Sequence, residues 1–65
     1  MNTSEVKDLD SLRVWAALKR QERPDLKDEI ISFVKWAETE VNSGEDEYQT
    51  VIDAVEYIED EIEAE

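Results

Sequence analysis

The chain contains no cysteine and no histidine among its 65 residues. The missing cysteines exclude disulfide bridges, thiolate metal ligands and a cysteine nucleophile. The missing histidines remove the side chain that most often serves as a general base or metal ligand near neutral pH. The composition therefore argues against an enzyme and predicts neither a cofactor nor a metal site.

Glycine and proline each occur once, as Gly44 and Pro24. A single glycine cannot supply the clustered glycines of a phosphate-binding loop. The acidic stretch 42–47 contains that glycine but not the alternating ligands of a calcium-binding EF-hand loop. No apolar run is long enough to span a bilayer, and the polar N-terminus lacks the apolar core of a secretory signal. We therefore expect a cytoplasmic protein.

Positive charge is missing from the second part of the chain. All seven lysines and arginines lie within residues 1–35, where seven acids balance them. Residues 36–65 contain the other twelve acids and no cation, so the whole net charge of -12 belongs to this segment. Such a surface repels phosphate and anionic lipid headgroups, which excludes direct binding to nucleic acid and to membranes.

The apolar residues are spaced as in amphipathic helices, and Pro24 and Gly44 separate three such stretches. This pattern predicts an all-α fold, a compact three-helix bundle with helices at about 9–21, 24–42 and 45–63. The alternative is a hairpin of the two longer helices with the first helix docked across it. Residues 1–65 form one small domain, and 1–7 and 63–65 are expected to fray.

Each predicted helix has an apolar face. The third helix carries an apolar stripe with steps of three and four: Tyr48, Val51, Val55, Ile58 and Ile62. The second helix carries a similar stripe: Leu26, Ile30, Phe33, Ala37 and Val41. Ser43 is expected to cap the third helix, and Asp8 or Asp10 the first. The first helix is apolar on two sides, which makes Val14, Trp15 and Leu18 candidates for a homodimer interface.

The third helix also carries acids on the side away from its apolar stripe. Asp53, Glu56, Asp60 and Glu63 form a row with steps of three and four. On a helical wheel, Tyr57 is surrounded by Asp46, Asp53, Asp60 and Glu61. Tyrosine is a frequent interface anchor, although a single exposed aromatic residue needs no functional explanation. Trp36 lies at the edge of its stripe, where core packing and partner binding both remain open. The candidate partner-binding residues are Asp53, Glu56, Tyr57, Asp60, Glu61, Glu63 and Trp36.

These features predict a noncatalytic acidic binding protein that masks or recruits a protein partner with a basic surface. A nucleic-acid-binding protein is a candidate for this partner, because a row of carboxylates can imitate the phosphates of nucleic acid. A small inhibitor of phage or plasmid type would have this character. The alternative is a structural homodimer in which the first helix carries the association and the acids provide only solubility.

Overall fold

The computed structural model describes residues 6–64, and over this range the chain forms three α-helices and no strand. Helix α1 spans Leu9–Glu22, α2 spans Lys27–Asn42 and α3 spans Glu47–Glu63. A short 3₁₀ turn, Pro24–Leu26, connects α1 to α2. The predicted all-α three-helix bundle is confirmed.

Helix α1 begins with a capping box. The Ser11 backbone N–H donates to Asp8 Oδ1 at 2.8 Å, and the Asp8 backbone N–H donates to Ser11 Oγ at 3.0 Å. Asp8, rather than Asp10, is therefore the N-cap. The Leu9 N–H donates to Glu47 Oε2 at 2.8 Å, so a carboxylate from α3 satisfies a further free donor at this end.

The 3₁₀ turn replaces the first turn expected for the second helix. Pro24 starts this turn, where its missing N–H and fixed φ are tolerated, and α2 proper begins at Lys27. Helix α2 ends in a Schellman motif: the Glu45 N–H donates to the Glu40 carbonyl, and the Gly44 N–H to the Val41 carbonyl. Gly44 has φ of 104°, a conformation that side chains strongly disfavour.

Helix α3 starts later than expected and uses a different cap. Its N-cap is Asp46, whose Oδ2 accepts from the Gln49 N–H at 2.8 Å. Ser43 was expected in this role, but it belongs to the end of α2, where its hydroxyl donates to the Thr39 carbonyl at 2.9 Å. The Schellman motif holds residues 43–45 outside both helices, so the prediction for Ser43 is wrong.

One core joins the three helices. Helix α2 packs more extensively against α1 and α3 than those two pack against each other. The radius of gyration is 10.9 Å, close to the roughly 10.7 Å expected for a folded chain of this length. The buried apolar residues are Val6, Leu12, Trp15, Ala16, Leu26, Ile30, Ala37, Val51, Ala54, Val55 and Ile58.

Tyr48 and Val6 depart from the sequence-based expectations. Tyr48 is 59% exposed, although its spacing placed it on the apolar stripe, because it lies in the first turn, at the N-terminal end of α3. Val6 is fully buried within the segment expected to fray, and residues 1–5 of that segment lie outside the described residues. At the other terminus, Glu63 ends α3 and residue 65 lies outside the described part of the chain.

Candidate functional site

Tyr57 contacts two aromatic residues of the neighbouring helix. Its ring centroid lies 5.7 Å from that of Phe33 in a tilted arrangement and 5.5 Å from that of Trp36 in an edge-on arrangement. Both separations are typical of favourable aromatic pairs. We call Phe33, Trp36 and Tyr57 the aromatic cluster; Phe33 and Trp36 are half-buried, whereas Tyr57 is 44% exposed.

The aromatic cluster lines the middle of a surface groove between α2 and α3. The central depression, with a volume of about 350 Å³, is lined by Ser32 and the aromatic cluster. A second depression continues from Ser32 and Phe33 to Asp28 and Glu29, and a third continues from Trp36 to the start of α3. We call the three depressions together the α2–α3 groove.

Acids occupy both ends of the α2–α3 groove. Among the residues that the structure describes, every charged residue lining it is acidic: Asp28, Glu29, Glu40, Glu45, Asp46 and Asp53. An apolar centre with a carboxylate-rich region on either side is therefore the main feature of this surface.

Of the predicted acids of α3, only Asp53 lines the α2–α3 groove, and Glu63 lines a separate depression with Lys19, Glu59 and Ile62. At 3.6 residues per turn, Asp53 and Glu61 lie about 40° around the helix from Tyr57, and Asp60 about 60°. Glu56 and Glu63 lie about 100–120° from Tyr57 by the same geometry and so face away from α2. All are exposed except Asp53, which is half-buried and accepts from Gln49 Nε2 at 3.0 Å.

The acids of α3 take part in none of the ion pairs formed within residues 6–64. Those pairs join Arg13 to Asp10 and Glu38, Lys19 to Glu22, and Arg23 to Asp25. The hydrogen bond from Arg13 to Glu38 is the main cause of a raised pKa for Arg13, and Arg23 lowers the pKa of Asp25 by a similar bond. The ion-pairing cations of residues 6–64 therefore lie on α1 and at the start of the connecting turn, whereas the α3 carboxylates of Glu47 and Asp53 accept hydrogen bonds from neutral donors.

A groove of opposite character lies between α1 and α2. It has an apolar floor of Ala16, Ile31 and Val34, and its charged residues are Arg13, Arg20, Lys35 and Glu38. Tertiary packing has thus separated the charges on two sides of α2, with cations towards α1 and acids towards α3.

The three dimer candidates of α1 occupy different environments. Val14 is 54% exposed and Leu18 is 42% exposed, so both are accessible. Trp15 is 1% exposed and packs in the core, with the Lys19 ammonium 5.5 Å from its ring centroid. The core position of Trp15 removes it from a possible dimer interface, because the chain's own side chains already cover it.

Phe33 is a member of the site that the sequence placed in the core stripe of α2. The sequence signal for a site at this position is weak, since an i, i+3 pair such as Phe33 and Trp36 is equally typical of a buried face. The partner ring of Tyr57 lies more than twenty residues away in sequence. Its pairing with α2 depends on how α2 and α3 are rotated against each other.

Comparison of the chain with protein-family models, with curated proteins and with solved structures gives no match. Within residues 6–64, no helix combines the length and apolar character that crossing a membrane requires. The same residues contain no group of three carboxylates arranged to hold a metal ion.

Proposed function

We propose that this chain is a noncatalytic binding protein of the cytoplasm that masks or recruits a protein partner with a basic surface. The observation that supports it is an acidic α3, without ion pairs to the described part of the chain, next to an aromatic cluster in which Tyr57 is exposed. The binding residues are Asp53, Glu56, Tyr57, Asp60, Glu61, Glu63 and Trp36.

The two kinds of side chain have separate roles in this proposal. The carboxylates attract a basic partner over a distance and speed its association. The aromatic rings supply apolar contact area, which sets most of the affinity once water is displaced. An acidic surface alone would bind many basic proteins weakly, whereas the addition of aromatic rings favours particular partners.

The stability cost of the acids also supports a binding role. Like charges three and four residues apart repel each other on a helix, and acids near its C-terminus oppose the helix dipole. Asp60, Glu61 and Glu63 combine both penalties at the end of α3. A mixed-charge surface would keep the protein in solution without them.

In the more specific form of this proposal, the partner is a nucleic-acid-binding protein and the chain is its inhibitor. Asp53, Glu56, Asp60 and Glu63 repeat about every 4.5–6 Å along the helix axis, which is of the order of phosphate spacing along a strand. The row would occupy the groove or cleft that normally holds nucleic acid.

The test compares capture by three immobilised proteins. The first is the natural chain, and the second carries Asp53→Asn, Glu56→Gln, Asp60→Asn and Glu63→Gln. The third replaces each of these aspartates with glutamate and each glutamate with aspartate, which keeps the charge. We expect the natural and charge-conserving chains to retain the same basic proteins from a lysate, and the neutralised chain to lose them.

Neutralisation should also raise the free energy of unfolding by roughly 0.5–1 kcal/mol, because repulsion among the acids is relieved. The neutralised chain should therefore unfold at a higher temperature. Equal capture by all three chains would contradict the proposal, and a loss of stability on neutralisation would make the acids structural. For the inhibitor form, duplex DNA or RNA must compete with the chain for the captured protein. Failure to compete would exclude that form.

A homodimer through α1 is the second candidate, and the exposure of Val14 and Leu18 on one face of α1 favours it. Sedimentation over a concentration series should then show a dimer that Leu18→Asp converts to a monomer. A natural chain that is monomeric at high concentration would exclude this candidate.

A further inference from the structure

The layout of the α2–α3 groove specifies what an occupant must provide. Its centre consists of three aromatic rings, and the acids that line both ends form no ion pair within residues 6–64. An occupant must therefore bring apolar or cation–π contact to the middle and positive charge to each end. A negatively charged or purely apolar occupant would leave carboxylates desolvated without compensation.

Arginine meets both requirements at the centre. Its planar guanidinium stacks on aromatic faces and is less strongly hydrated than an ammonium group. It also bonds carboxylates through two parallel N–H donors. Asp53 and Glu61 lie one turn before and after Tyr57, about 6 Å away along the α3 axis, so both are within reach of a guanidinium over the rings.

The length of the groove sets the spacing of the flanking charges. From Asp28 to Glu40 the groove follows twelve residues of α2, a distance of about 18 Å at 1.5 Å per residue. The aromatic cluster lies near the middle, so the charges of an occupant should be about 9 Å apart. An extended chain covers this distance in about three residues.

We propose that the α2–α3 groove binds an extended segment of a protein partner in which every third residue is arginine or lysine, with a central arginine seated on the aromatic cluster. This inference rests on the proposed function and adds the class of ligand and its position. Charge complementarity favours this occupant over a second copy of the chain, because each copy would bring a net charge of -12 to the contact.

The test uses a capped synthetic peptide in which arginine occupies every third position and glycine and serine fill the rest. Binding is followed by NMR through the two indole N–H signals. The peptide should shift the Trp36 signal and leave that of Trp15 in place, because Trp15 is buried in the core. A peptide with lysine at the central position should bind at least roughly threefold more weakly than the peptide with arginine there.

Two pairs of matched variants locate the binding surface. Tyr57→Ala should weaken binding by roughly 3- to 10-fold. Tyr48→Ala should have little effect, since Tyr48 is an exposed tyrosine of the same helix outside the groove. Asp53→Asn with Glu61→Gln should weaken binding more than Glu56→Gln with Glu63→Gln, although the two double variants have the same net charge. Tyr57→Phe keeps the ring and should retain binding, which separates a loss of contact from a loss of fold.

The results distinguish failure of this inference from failure of the proposed function. Equal effects of Tyr57→Ala and Tyr48→Ala on peptide binding would overturn the assignment of the binding site to the groove. A larger effect of the Glu56 and Glu63 double variant would do the same, and would place the basic partner on the outer face of α3. A Trp36 signal that shifts with the concentration of the chain, in the absence of peptide, would overturn the inference and indicate that a second copy of the chain occupies the groove. Absence of peptide binding to the natural chain and to every variant, at low salt, would contradict the inference, and unchanged lysate capture by the neutralised chain would contradict the proposed function.

Discussion

Trp15 and Leu18 stand three residues apart in α1, and the fold gives them opposite environments. Trp15 is 1% exposed, whereas Leu18 is 42% exposed. Their apolar character is similar, so composition cannot distinguish a core residue from a surface residue on a helix that is apolar on two sides. The difference arises because α2 and α3 cover one side of α1 and leave the other free.

We expect Trp15→Ala to destabilise the protein by about 3–5 kcal/mol, since it removes a large buried side chain and leaves a cavity. The total stability of a domain of this length is of the order of 3–10 kcal/mol, so this loss is a large share of it. Leu18→Ala is the control and should cost less than about 1 kcal/mol. Urea unfolding followed by circular dichroism measures both, and equal effects would place Trp15 at the surface.

Asp8 links the stability of the protein to pH. The hydrogen bond from the Ser11 backbone N–H is the main reason that the pKa of Asp8 is lowered below its ordinary value of 3.8. A lowered pKa in the folded state adds stability above the ordinary pKa, and this stability is lost as the pH falls through the folded value. Asn caps a helix without titrating.

The difference in melting temperature between the natural chain and Asp8→Asn should therefore narrow as the pH falls below about 4. Both chains share every other acid, so the remaining pH effects cancel in the comparison. Thermal unfolding at a series of pH values gives the difference, and a gap that stays constant into strong acid would contradict the ionised cap.

The ends of the elements were harder to predict than their existence. Periodicity and the two breaks predicted three helices, and the starts of α2 and α3 lie two or three residues later than expected. Pro24 starts a 3₁₀ turn, and the residues after α2 satisfy its last carbonyls before a new helix can begin. At the end of α3, Arg23 Nη1 lies 3.4 Å from the Ile62 carbonyl oxygen, so a cation outside α3 compensates part of its acidic C-terminal pole.

The N-cap of α3 gives a prediction for the whole element. Asp46→Ala should lower the stability by about 1 kcal/mol, because it removes the acceptor for the Gln49 N–H at the helix start. Ser43→Ala should have a clearly smaller effect, since its hydroxyl is an additional donor to a carbonyl at the end of α2. Chemical denaturation of the two variants tests this order, and the reverse order would restore Ser43 as the cap.

On the scale of the whole molecule, the fold separates charge that the sequence had already divided. Three of the seven cations, Arg13, Arg20 and Lys35, line the groove between α1 and α2, and acids line the groove on the other side of α2. A net charge of -12 on a small domain repels itself, and screening by salt weakens that repulsion.

Added salt should therefore change stability and binding in opposite directions. We expect the melting temperature to rise between low and physiological ionic strength, because repulsion among the α3 acids is screened. Capture of a basic partner should weaken over the same range, because screening also reduces the attraction. Parallel melting and binding titrations test this, and a melting temperature that falls with salt would mean that attractive ion pairs dominate the fold.

The sequence by itself determined the helical class, the number of helices, most of the core and the segment that holds the excess charge. These properties depend on spacing along the chain, which helix geometry converts directly into faces. Tertiary structure alone decided that Tyr57 meets Phe33 and Trp36, that Val6 and Trp15 are buried, and that Tyr48 is not. Those outcomes depend on how the helices rotate and cross when they pack, and no spacing within a single helix specifies that arrangement.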